Sequence, residues 1–91
     1  MPVYLIDYDL NSPGQDYTKL IKKIMEFPAY CSILKSSWAI YYNGSSKDVL
    51  NSIAPFLDSS DRVIISRLND DSIWYLDKEK SEWITNHSSH P

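Results

Sequence analysis

Val3-Tyr4-Leu5-Ile6-Asp7-Tyr8 (VYLIDY) groups β-branched and aromatic side chains and stops at the turn cluster Asn11-Ser12-Pro13-Gly14. This reads as a strand. Alternation places Val3, Leu5 and Asp7 on one face and Tyr4, Ile6 and Tyr8 on the other. Both faces are apolar along most of its length, so neither suits water.

Working outward, Tyr17, Leu20, Ile21, Ile24 and Phe27 recur at helical spacing between Gln15 and Phe27, with Lys19, Lys22, Lys23 and Glu26 opposite them. Pro28 closes that helix. Tyr30–Leu34 and Trp38–Tyr42 read as a hairpin joined by Lys35-Ser36-Ser37. After Asn43-Gly44, Ser45 or Ser46 can cap a second helix with the stripe Val49, Leu50, Ile53, Phe56 and Leu57. Pro55 lacks an N–H and crowds the preceding turn, which predicts an end or kink near Ala54. Arg62–Leu68 (RVIISRL) is the fourth strand. Two of the three tryptophans, Trp74 and Trp83, lie beyond it, and aromatic side chains of that size dock when they can. The expectation there is a docking segment or a fifth, edge strand.

The order strand-helix-strand-strand-helix-strand predicts an α+β, ferredoxin-like βαββαβ fold, with two helices on one face of an antiparallel four-stranded sheet. Residues 1–68 form this core, residues 69–85 an aromatic C-terminal extension and residues 86–91 a flexible tail. The other sheet face is left bare. Apolar burial is worth about 25 cal/mol per Å², which favours a second copy as its cover. The expectation is a homodimer with Tyr4, Ile6, Tyr8, Trp74 and Tyr75 at the interface.

At 91 residues the chain holds one core, and 43% hydrophobic content excludes disorder of the bulk. The net charge is −3, all of it after residue 45, where eight acidic residues face five basic ones. Only two of the nine cations are arginine. Tight, indiscriminate nucleic-acid binding is disfavoured, because phosphate contacts call for a basic excess. The single cysteine, Cys31, makes no intrachain disulfide and excludes a four-cysteine zinc site, which suits a reducing cytoplasm. No run of about 18 apolar residues exists for a membrane span. The start MPVYLIDYD turns acidic before a signal-peptide core forms, so no export by such a signal is expected.

Asp7 and Asp9 share a face at the end of the first strand, and two adjacent carboxylates can hold Mg²⁺. The alternative is structural: Asp9 caps the following turn while Asp7 pairs with Arg62 or Arg67. Lys19, Lys22 and Lys23 form either a modest patch for a nucleic-acid backbone or an ordinary solvated helix face. Tyr41 and Tyr42 lack the glycine pattern of an RNA-recognition strand and read as packing residues. His87 and His90 stand three apart in a serine-rich terminus, and Cys31 reads as a buried structural thiol. With both histidines in the tail, no Ser-His-Asp arrangement can be drawn, and two glycines cannot build a phosphate loop.

Tyr8-Asp9-Leu10, the following Asn11-Ser12-Pro13-Gly14-Gln15-Asp16-Tyr17, Ser37-Trp38 and Asp61 together resemble the small dimeric CRISPR-associated spacer-acquisition proteins and their relatives. The nearest likeness is to a bacterial and phage branch with a Y-D-L-N-x-P-G-x-D-Y opening, often labelled SinR-type, and it spans about residues 3–68. The resemblance implies a ferredoxin-like symmetric dimer. As in the related virulence-associated protein D toxins, it also implies a metal-dependent nuclease. Asp9 of each copy would then hold one Mg²⁺ that activates water for attack on RNA or DNA. The second functional class is a non-catalytic homodimeric protein-interaction module, a phage or mobile-element accessory that uses its acidic, aromatic C-terminal segment. The charge balance favours the module, and the Y-D-L opening favours the nuclease.

Overall fold

The computed structural model describes residues 2–10 and 17–88, as four strands and three α-helices in the order β1 (Val3–Asp9), α1 (Thr18–Ile24), β2 (Ala29–Leu34), β3 (Ser37–Tyr41), α2 (Ser46–Ile53), β4 (Arg62–Arg67) and α3 (Lys78–His87). The strands form one antiparallel sheet in the order β2-β3-β1-β4, the ferredoxin-like arrangement. The doubly apolar strand β1 takes a central position, as its two faces require. Asn11–Asp16, which carry most of the opening motif and the turn after β1, lie outside the described residues.

Tyr4, Ile6 and Tyr8 point to the face covered by α1 and α2. There Tyr4, Ile6, Leu20, Ile24, Phe27, Ile40, Val49 and Ile53 form the main core. Tyr4 and Ile6 keep only 2% and 1% of their surface, so the expectation that they meet a second copy is corrected: α1 and α2 of the same chain cover them. Tyr8 lies on the same face, and its hydroxyl accepts from Trp38 Nε1 at 3.2 Å. The Tyr4 hydroxyl donates to the Gly44 carbonyl. A Cβ at position 44 would stand 2.5 Å from the Tyr42 ring, which is why the bend after β3 carries glycine. Tyr42 in turn meets Phe27 edge-on, with centroids 5.3 Å apart.

Local signals set the helix ends. Ser45, rather than Ser46, caps α2 through a reciprocal box: Asp48 N donates to Ser45 Oγ at 3.1 Å and Ser45 N donates to Asp48 Oδ2 at 3.0 Å. These backbone and hydroxyl bonds lower the Asp48 pKa. The proline kink falls where expected, as α2 tightens into a 3₁₀ turn over Ala54–Phe56. The start of β4 is tied to α1 by Asp61, which is buried. Its Oδ1 accepts from the Tyr17 hydroxyl at 2.5 Å and its Oδ2 from Asp58 N at 2.7 Å.

The C-terminal segment takes the docked form and not that of an edge strand. It forms an arm over residues 69–77 and then α3, with no fifth strand among the described residues, and it lies across the second sheet face. Ile84, 2% exposed, fills a core with Val3, Ile33 and Ala39, and Trp74, Leu76 and Trp83 pack around it. Asn86 and His87, read from sequence as frayed tail, are the last residues of α3. The cause is local: Asp77 caps the helix by accepting from Lys80 N at 2.9 Å, and the Lys78–Glu82 pair spans one turn at 3.9 Å.

Replacing Asp61 by Ala removes one acceptor from Tyr17 and another from Asp58. We expect a loss of about 2 kcal/mol. Urea unfolding should show it, with Tyr17→Phe losing less because the Asp58 bond survives.

Candidate functional site

The second sheet face is built from Val3, Leu5, Asp7 and Asp9 of β1, Ser37, Ala39 and Tyr41 of β3, the Cys31 side of β2, and Arg62, Ile64 and Ser66 of β4. The chain covers it unequally. Helix α3 lies over β2 and β3, and Lys80 Nζ donates to the Ile33 carbonyl at 3.2 Å. On β1 the cover reaches Val3, which is buried, and Leu5, which packs on the same core, whereas β4 has no such cover. Leu5 is half-buried, Ile64 is 69% exposed, and Ile73 and Tyr75 of the arm stand fully in solvent. Between arm and sheet runs a groove of about 270 Å³, bounded by Leu5, Leu34, Leu68, Ile73 and Tyr75 among others. Of the two aromatic residues expected at an interface in this segment, Trp74 is half-buried against the chain's own sheet and Tyr75 is exposed.

The carboxylates lie at one end of this face. Asp7 accepts from the Ser37 hydroxyl, itself buried, so one carboxylate oxygen is committed to holding β1 against β3. Asp9 is exposed, and its cross-strand neighbour is Arg62. The Arg62 guanidinium donates to the carbonyls of Ser59 at 3.1 Å and Asp61 at 2.9 Å in the preceding loop. Among the described residues, no group of three or more His, Cys, Asp or Glu side chains could hold a metal ion.

Lys19, Lys22 and Lys23 do not join them. They lie on α1, whose buried residues Leu20 and Ile24 pack on the opposite face of the sheet, and Lys23 pairs with Glu26 at 3.5 Å. The sheet separates the lysine row from Asp7 and Asp9, so one nucleic-acid strand cannot run straight from one to the other. His87 stacks on Trp83 with centroids 4.2 Å apart, and its Nδ1–H donates to the Trp83 carbonyl at 2.8 Å. It also meets Tyr41 edge-on. This packing explains its place in α3 without a metal, and His90 lies outside the described residues. Cys31 is half-buried beside the second core, and burial raises its thiol pKa, opposed by nearby Lys80.

Sequence reasoning missed Ile64 and Ile73. The signal was present in Val63-Ile64-Ile65, three successive apolar residues that must show at least one side chain to each face of β4. No helix among the described residues is long and apolar enough to cross a membrane. No protein-family model, curated protein or solved structure matches the chain.

A thiol with a raised pKa holds little thiolate at neutral pH. Iodoacetamide should therefore alkylate Cys31 more slowly in the folded chain than in urea, with the difference read by mass spectrometry at pH 7.5.

Proposed function

We propose that this chain is a non-catalytic, homodimeric protein-interaction module whose contact surface is the exposed β4 side of the second sheet face and the adjoining edge of β4. One observation carries the reading. The C-terminal segment packs over Val3, Ile33 and Ala39, with Leu5 at its border, and leaves Ile64 of β4 and the arm residues Ile73 and Tyr75 exposed. An apolar patch of this kind on a small domain is a site of association. The single, partly buried thiol suits a cytoplasmic setting. Sedimentation equilibrium at micromolar concentration should return twice the chain mass. Ile64→Asp, which places a charge at an already exposed position, should raise the dissociation constant at least about tenfold while leaving the circular dichroism spectrum of the folded chain unchanged. A monomer up to 100 micromolar, roughly the upper limit for a useful association, would remove the reading.

A second reading has its own support. Asp7 and Asp9 stand side by side on the open face with Asp9 exposed, a placement that allows a metal-dependent endonuclease acting on RNA or DNA. Single- and double-stranded RNA and DNA incubated with Mg²⁺ or Mn²⁺ should then be cut by the native chain and spared by Asp9→Ala. Equal background with both proteins sinks this reading and leaves the first untouched.

A further inference from the structure

The two outer strands of the sheet are treated differently by the fold. Strand β2 is interrupted by a bulge between Ser32 and Leu34 and is guarded by α3, whose Lys80 takes the Ile33 carbonyl. Strand β4 has neither device: its ladder with β1 is regular from Arg62 to Arg67, and among the described residues no strand pairs with its other side. It also lacks proline and lysine, two common blockers of edge association.

The direction of its free backbone groups follows from one bond. Leu68 N donates to the Val3 carbonyl at 2.9 Å, so by alternation Ser66, Ile64 and Arg62 turn their N–H and C=O groups toward β1. Val63, Ile65 and Arg67 turn theirs outward. Apolar side chains flank this row on both sides of the sheet. Ile64 lies on the second face, and Val63 and Ile65 border a groove of about 200 Å³ with Leu50 of α2 on the first.

We infer that β4 pairs antiparallel with β4 of a second copy about a two-fold axis through Ile64, joining two four-stranded sheets into one of eight strands. This rests on the homodimeric reading above and states how the dimer is made. A two-fold axis perpendicular to the sheet keeps each face on its own side, so facing residues must have numbers of the same parity. Centring on Ile64 sets Ile64 opposite its own copy, Val63 opposite Ile65, and Arg62 opposite Ser66. It also brings Arg67 opposite Asp61. The apolar trio meets itself and no like charges face each other, the Asp61 carboxylate being held by Tyr17 and Asp58 N of its own chain. Val63 and Ile65 supply the outward N–H and C=O groups for this ladder.

The pairing makes the exposed β4 sides of the two second faces continuous, with the two arms at its borders. It also keeps the carboxylates apart. The two Asp9 positions would be separated by three interstrand spacings of about 4.8 Å and four residue steps of about 3.3 Å, about 20 Å in all. One ion cannot bridge that distance, so a shared metal centre is incompatible with this dimer.

Single cysteines in a Cys31→Ala background test the register. Ile64→Cys faces its own copy as a non-hydrogen-bonded pair with Cα atoms about 4.5 Å apart, within disulfide range. Ser66→Cys is displaced from its copy by four residues, beyond the limit of about 7 Å. Under mild oxidation, Ile64→Cys should give at least about tenfold more covalent dimer than Ser66→Cys on non-reducing gels. Should Ile64→Cys fold poorly, as judged by its circular dichroism melt, Arg62→Cys and Ser66→Cys chains should cross-link when mixed and not separately. Preferred cross-linking of Ser66→Cys alone overturns this register. A sedimenting dimer that none of these cysteines captures overturns edge pairing and leaves the interaction-module reading standing, whereas a monomer overturns both.

Discussion

The structure depends on a central strand, β1, that has no hydrophilic side to show. Val3, Tyr4 and Ile6 each retain at most 2% of their surface, and they point to opposite faces of the sheet. Two layers of cover are therefore obligatory. Helices α1 and α2 supply the first, and the arm with α3 supplies most of the second. The three-layer architecture follows from that requirement more than from the propensities of the covering segments.

Much of the fold was legible because its signals are local. The period-two run in β1, the helical stripe from Tyr17 to Phe27, the Ser45 cap and the Pro55 kink each depend on a few neighbouring residues. The segment after Leu68 was harder to read. Its aromatic residues read as docking groups, whereas the helix that carries Trp83 and Ile84 starts from a cap, Asp77, inside a strongly charged run. Leu76, Trp83 and Ile84 then meet one core only because the intervening residues are helical. The bare face was correctly deduced from β1, but its cover was assigned to another molecule when most of it was already present in the same chain.

The candidate site was less legible for a different reason. Asp7 and Asp9 could be placed on one face by alternation alone, and the structure does place them so. Whether the lysines of α1 joined them depended on which face the helices chose, and nothing within VYLIDY decides that. Packing Tyr4, Ile6 and Tyr8 under α1 and α2 sends Asp7 and Asp9 to the side away from Lys19, Lys22 and Lys23. Charge composition and spatial arrangement thus point the same way: this face carries apolar contacts beside a small acidic end, and the lysines of α1 lie away from it.

The incomplete cover on the second face has a geometrical origin. An α-helix with its side chains is about 10 Å wide, and two strands occupy about 10 Å of a sheet. Four strands therefore need two helices, which is what the first face receives. The second face receives one, α3, with 10 residues, preceded by an arm too narrow to replace a second helix. Because α3 settles on β2 and β3 and reaches Val3 of β1, the edge it guards is that of β2, and the shortfall falls on β4. The uncovered strand and the unguarded edge are consequently on the same side of the molecule. The second copy we propose along β4 would adjoin both at once, so that edge pairing there would also cover part of the exposed apolar surface around Ile64.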